Sequence, residues 1–133
     1  MFDKKVVLVV DDDPTLLDMY TDRVRAEGGI VLDARDGDEA LTKAQENKPQ
    51  LIILDLMMPT LDGLDVLRHL KADPETSEIP ILILTAVDDK DKRETAKKLG
   101  VETYLIKSEV LPYDVIAKAR ELISASEKNS RFI

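Results

Sequence analysis

Three stretches of this chain are almost purely apolar and very short: Val6-Val7-Leu8-Val9-Val10, Leu51-Ile52-Ile53-Leu54 and Ile81-Leu82-Ile83-Leu84. No polar residue alternates through them, so none reads as a strand with one wet face. They fall far short of the roughly 20 apolar residues that a membrane span needs. Strands buried on both faces belong to a parallel sheet covered by helices on each side.

Two further strand candidates, Ile30–Ala34 and Thr103–Ile106, bring the set to five, with the first beginning at Lys5. Segments of helical spacing separate them. The first helix is expected to start near Pro14, which suits a first turn because its missing N–H is not needed there, and to stop at Gly28-Gly29. Leu17, Tyr20 and Val24 form its inward stripe. The others are expected over about 38–47, 63–72 and 89–99, and from Pro112. The fourth is densely charged, with Ala96 and Leu99 as its main anchors. Ser124 to Ile133 are largely polar and are expected to fray into a tail.

Five βα units in 133 residues fit one α/β domain, with no repeat, linker or second domain in view. The doubly wound five-stranded parallel sheet of order 2-1-3-4-5 suits units of this length. Ligands bind such a sheet at the carboxyl ends of its strands.

Those ends carry chemistry. The first strand finishes in Asp11-Asp12-Asp13 and the third in Asp55. In the expected order these strands are neighbours about 4.8 Å apart. Two carboxylates about 5 Å apart repel by roughly 3 kcal/mol at an effective dielectric of 20, so the cluster needs a cation. An all-oxygen site suits magnesium. The fourth strand ends in Thr85-Ala86, and Lys107 follows the fifth. Acids, a hydroxyl and an ammonium at one rim suit a phosphoryl group. Taken singly these residues have plainer readings: Asp11 to Asp13 as a helix cap, Thr85 as a strand-end hydroxyl, Lys107 as a solvated lysine and Tyr104 as a packed ring.

The net charge of -8 argues against direct nucleic-acid binding, which needs a basic surface. The single His69 cannot build a His-rich metal site, and the chain has no cysteine for a disulfide, thiolate site or nucleophile. Met1 to Lys5 lead straight into a strand, so no signal peptide is expected, and no segment reads as membrane-bound. A cytoplasmic protein is expected.

The chain resembles a receiver domain of two-component response regulators, of the stand-alone, single-domain type. The resemblance rests on Asp11-Asp12, Asp55 with Met58-Pro59 and Gly63, Thr85-Ala86 and Lys107, and it covers about residues 4 to 124. It implies a flavodoxin-like (βα)5 fold, with a receiver domain over residues 1–124 and a polar tail over 125–133. It implies that Asp55 is the phosphoacceptor and that Mg2+ is held by Asp11, Asp12, Asp55 and the backbone carbonyl of Met57. Thr85 and Lys107 would contact the phosphoryl oxygens, and Thr85 and Tyr104 would form the switch. The donor would be a histidine kinase or histidine phosphotransfer protein, and output would pass to an unknown downstream protein. Such a domain is not an enzyme acting on other substrates; it catalyses only its own phosphorylation and dephosphorylation.

Two departures from the family stand out. Lys107 is followed by Ser108 where the family usually has proline after a cis bond. A trans bond is expected here, because a non-proline cis bond costs about 3 kcal/mol. Met57 and Val87, each two residues beyond a site residue, are apolar where the family adjusts access of water. Competing functions are a magnesium-dependent phosphohydrolase, a degenerate receiver acting only as a binding module, and a flavin-binding protein of similar fold. The first often carries a second Asp where this chain has Met57. The second sits poorly with an intact set of acids, hydroxyl and lysine. The third lacks its phosphate loop, since Asp11-Asp12-Asp13-Pro14 would repel an anion.

Overall fold

The computed structural model describes residues 2–58 and 61–130. Five strands, β1 (Val6–Val10), β2 (Ile30–Ala34), β3 (Leu51–Leu54), β4 (Ile81–Thr85) and β5 (Thr103–Ile106), form one parallel sheet in the order β2-β1-β3-β4-β5. Helices α1 (Pro14–Ala26), α2 (Gly37–Asn47), α3 (Gly63–Ala72), α4 (Lys90–Lys98) and α5 (Pro112–Ser130) connect and flank them. The expected doubly wound α/β architecture and strand order are those of the molecule.

The apolar runs are continuous because the sheet divides the core in two. Along β1, Leu8 and Val10 face one cluster with Ile52, Leu54, Ile83, Leu67, Leu70 and Ala96. Val7 and Val9 face the other, with Leu17, Val24, Ile53, Leu84, Val115 and Ile116. The first cluster lies under α2, α3 and α4, and the second under α1 and α5. Neither face of the central strands meets water, so neither tolerates a polar residue.

Asp13, Asp36, Asp62 and Asp89 cap α1 to α4, each side chain accepting from backbone N–H groups of the first turn. Caps of this kind satisfy amides that have no partner inside the helix. Part of the acidity of the chain is therefore structural. Gly28, at φ +86°, turns the chain out of α1 in a backbone region that side chains disfavour. Helix α4 is the least anchored, with Ala96 as its one buried residue.

The polar end of the chain departs from expectation. Helix α5 does not fray at Ser124 but continues to Ser130. Its Ile123 is buried in the second cluster, and Glu127 pairs with Lys5 at 2.9 Å. The polar residues there form the wet side of a helix whose other side is held by the second cluster. Residues 131–133 of the expected tail, Met1 and Pro59 lie outside the described residues. Among the described residues no peptide bond is cis, so Ser108 follows a trans bond, and Lys107–Glu109 form a 3-10 turn. None of the described helices is long and apolar enough to cross a membrane.

Candidate functional site

Val10 and Leu54 are register partners at the ends of β1 and β3. The residue after each, Asp11 and Asp55, therefore emerges at the same rim. The backbone continues the ladder for one more step: Asp55 N–H donates to Val10 O at 3.0 Å, and Asp11 N–H to Ala34 O at 3.1 Å. That step buries both acids, at 4% exposure for Asp11 and 3% for Asp55. Asp12, the next residue on, is exposed. One carboxylate oxygen from each of Asp11, Asp12 and Asp55 lies within 4.8 Å of the others.

Lys107 enters this cluster from the end of β5. Its Nζ stands 2.8 Å from Asp11 Oδ2 and 3.1 Å from Asp55 Oδ2. The remaining oxygens are held by the chain itself. Asp11 Oδ1 accepts from Asp13 N–H at 2.9 Å, and Asp55 Oδ1 from Met57 N–H at 3.0 Å. Burial pushes the Asp55 carboxyl above its ordinary range and outweighs the Met57 N–H and the Lys107 charge, while the Asp11 charge pushes the same way. For Lys107, burial works against the charge, but its contacts with Asp11 and Asp55 prevail and raise its pKa. The two directions point opposite ways about one ion pair. One ammonium serves two buried carboxylates, so the cation is well compensated, while burial leaves Asp55 short of compensation.

The donor set fits magnesium. Asp11, Asp12 and Asp55 offer only oxygen, and the exposure of Asp12 leaves room for the waters that this ion keeps. Asp13 does not join them. Its Oδ1 accepts from Thr15 N–H at 3.0 Å as the cap of α1.

Thr85 ends β4 opposite Ile106, beside the strand that delivers Lys107. Its hydroxyl is buried and, among the described residues, has no hydrogen-bond partner. Buried hydroxyls are rarely left so, and this one has a donor to offer. Tyr104, opposite Ile83 in the register, is half-buried, and its OH donates to Val87 O at 3.3 Å. The Arg93 guanidinium lies 4.9 Å from the ring centroid.

Asp11, Asp12, Asp55 and Lys107 are thus brought together as expected, with Thr85 at the end of the neighbouring strand. Met57 contributes its amide to Asp55, while its side chain is 44% exposed; Val87 is 41% exposed. Sequence reasoning did not single out Lys92 or Arg93. Lys92 Nζ lies 3.3 Å from Met57 Sδ, and Arg93 covers Tyr104 and pairs with Asp88 at 3.1 Å. On a helix as charged as α4, no spacing separates two such residues from their solvated neighbours.

Residues 7–118 match the family described as response regulator receiver domain. The chain is 39% identical over 121 residues to the DNA-binding response regulator MtrA of Mycolicibacterium smegmatis, covering 91% of this chain and 51% of that protein. It is 40% identical over 124 residues to a probable transcriptional regulator, ycf27, of Cyanophora paradoxa, covering 93% of this chain and 50% of that protein. It spans about half the length of these curated relatives. Among solved structures, a CheY-like response regulator receiver domain protein from Methanospirillum hungatei JF-1 superposes with a TM-score of 0.86 at 26% identity, covering 94% of this chain and 98% of that one.

Proposed function

Because this chain belongs to the response regulator receiver domain family, we propose that it is a phosphoacceptor switch in which Asp55 takes a phosphoryl group from a histidine kinase or histidine phosphotransfer protein. One observation carries this reading: the Lys107 ammonium is clasped between two buried carboxylates, with a third beside them. A structural ion pair does not need three acids. A site that must receive an anion and a divalent cation does.

An Asp55 carboxylate oxygen attacks phosphorus, and the bond from phosphorus to the donor imidazole nitrogen breaks. The electron pair leaves with the imidazole. Met57 N–H keeps the other Asp55 oxygen oriented. Lys107, already at the acids, offsets charge on the phosphoryl oxygens, and the unpartnered Thr85 hydroxyl donates to one of them. Asp11, Asp12, Asp55 and the Met57 carbonyl would hold Mg2+. When bound, that ion neutralises charge on the transferring group. The domain acts on itself and turns over no other substrate.

Output is assigned to the face of α4, β5 and α5, where a downstream protein would dock. The relatives' names describe DNA-binding or transcriptional proteins. For this chain, a net charge of -8 gives no reason to place nucleic-acid contact on its own surface. The cell compartment that suits such a partnership is the cytoplasm.

The test is intact mass after incubation with Mg2+ and acetyl phosphate or phosphoramidate. Wild type is expected to gain one phosphoryl mass and Asp55→Asn none. A gain that survives in Asp55→Asn would overturn the assignment.

A further inference from the structure

Two adjacent cations in the first turn of α4, Lys92 and Arg93, leave the helix in different directions. Arg93 is fully occupied, paired with Asp88 and lying over Tyr104. Lys92 is not. Lys90, Lys97 and Lys98 are exposed, but Lys92 is half-buried, its side chain laid back toward the loop after β3. Its ammonium has three donors, and its side-chain contact among the described residues is Met57 Sδ at 3.3 Å. A thioether is a weak acceptor. No carboxylate among the described residues stands within ion-pair distance of it. The same Met57 donates its amide to Asp55 Oδ1 at 3.0 Å. A nearly uncompensated ammonium therefore rests on the side chain of the residue whose amide holds the Asp55 carboxylate, on the helix least anchored to the core.

Resting on the Asp55 reading above, we propose that Lys92 is a second phosphoryl-binding cation, which leaves the Met57 sulfur for a phosphoryl oxygen when Asp55 is modified. The charge arithmetic favours the exchange. A phosphoryl group brings a charge of about -1.5 to -2 and three strong acceptor oxygens. Lys107 is already shared with Asp11. An ammonium trading a thioether for an anionic oxygen gains a charge-assisted hydrogen bond. The first turn of α4, joined to the β3–α3 loop by a weak thioether contact in the resting state, becomes tied to it by a charged one in the phosphorylated state, and Ala96 alone offers little resistance to that movement. The same contact holds charge on the phosphoryl ground state and covers the mouth of the site beside Met57, so loss of the phosphoryl group slows.

Wild type, Lys92→Gln and Lys92→Arg are phosphorylated with acetyl phosphate and Mg2+, freed of donor, and followed by intact mass at low and high salt. Lys92→Gln should lose the group about two- to fivefold faster than wild type at low salt, as suits a partly exposed ion pair. The difference should shrink at about 1 M salt, and Lys92→Arg should restore the slow rate. Amide exchange over residues 90–95 should slow on phosphorylation in wild type and Lys92→Arg but not in Lys92→Gln. Equal decay of wild type and Lys92→Gln at low salt overturns the proposal, as does a Lys92→Arg protein that behaves like Lys92→Gln. Failure of wild type to gain any phosphoryl mass defeats the Asp55 reading and this one together; normal gain with equal decay defeats this one alone.

Discussion

Gly63 sits against the backbone of Asp55: a Cβ on the glycine would lie 2.8 Å from Asp55 O and 2.3 Å from Leu56 Cα. Gly63 N–H also donates to Leu56 O at 3.1 Å. The loop after Asp55 thus folds back so closely that the start of α3 admits no side chain. Gly63→Ala must push apart two backbone segments, not a flexible tip. It is expected to cost about 2–3 kcal/mol, the upper part of the range for overpacking, and to slow phosphorylation by displacing the Met57 amide. Chemical denaturation and phosphorylation rate, read on the same protein, check both parts.

Asp55→Asn should stabilise the metal-free fold. Burial holds the Asp55 carboxyl above its ordinary pKa. A carboxyl raised in this way contributes fully below its unfolded pKa and loses that contribution as pH rises through the folded value. At pH 7, above the ordinary carboxylate range, that contribution is reduced in the wild type, and the amide has none to lose. Thermal unfolding in a chelator should show Asp55→Asn melting higher than the wild type at pH 7. The gap should close on acidification toward about pH 4. A lower melting temperature for the variant at pH 7 contradicts this.

Asp12→Ala should separate metal affinity from stability. Asp12 is exposed and has no ion pair among the described residues, yet its carboxylate is within reach of the other two. Loss of one anionic ligand is expected to weaken Mg2+ binding about tenfold, roughly 1.4 kcal/mol. The melting temperature of the metal-free protein should stay the same or rise, since one repulsion is removed. Calorimetric titration with Mg2+ decides; unchanged affinity removes Asp12 from the ligand set.

Thr85→Ala should leave the resting fold intact and impair the response. Its hydroxyl has no partner among the described residues, so its removal is expected to change stability by less than about 1 kcal/mol in either direction. Asp55 should still be phosphorylated. The phosphorylation-dependent change around Tyr104 should weaken, because no hydroxyl is drawn toward the phosphoryl oxygens. Amide exchange over residues 86–107, with and without acetyl phosphate, measures it. A full wild-type response in the variant rules out this coupling.

Much of this molecule is visible in the letters of its chain, and the reason is geometric. Strands buried on two faces cannot hide a polar residue, so Val6–Val10, Leu51–Leu54 and Ile81–Thr85 announce their ends by the first acid or hydroxyl. A parallel sheet then gathers those ends at one rim, which is why Asp11, Asp55 and Thr85 were findable without coordinates. The rest depended on side-chain direction. Asp13 follows two site acids in an unbroken run and yet serves as a helix cap. Lys92 and Arg93 are adjacent and chemically alike, and only rotation about α4 sends one to Met57 and the other to Tyr104. The end of α5 is not legible because its polarity reads as loss of structure, whereas Glu127 and its neighbours line the wet side of a supported helix.

The central place of β3 in the order β2-β1-β3-β4-β5 sets Asp55 between two flanks. With the roles proposed above, the acids that bring Asp55 its metal come from β1 on one flank. The hydroxyl and ring that pass its state outward come from β4 and β5 on the other. Asp55 stands on the seam between an apparatus for being charged and an apparatus for being heard. Substitutions on the listening flank can change who attends to the signal while the writing flank stays as it is.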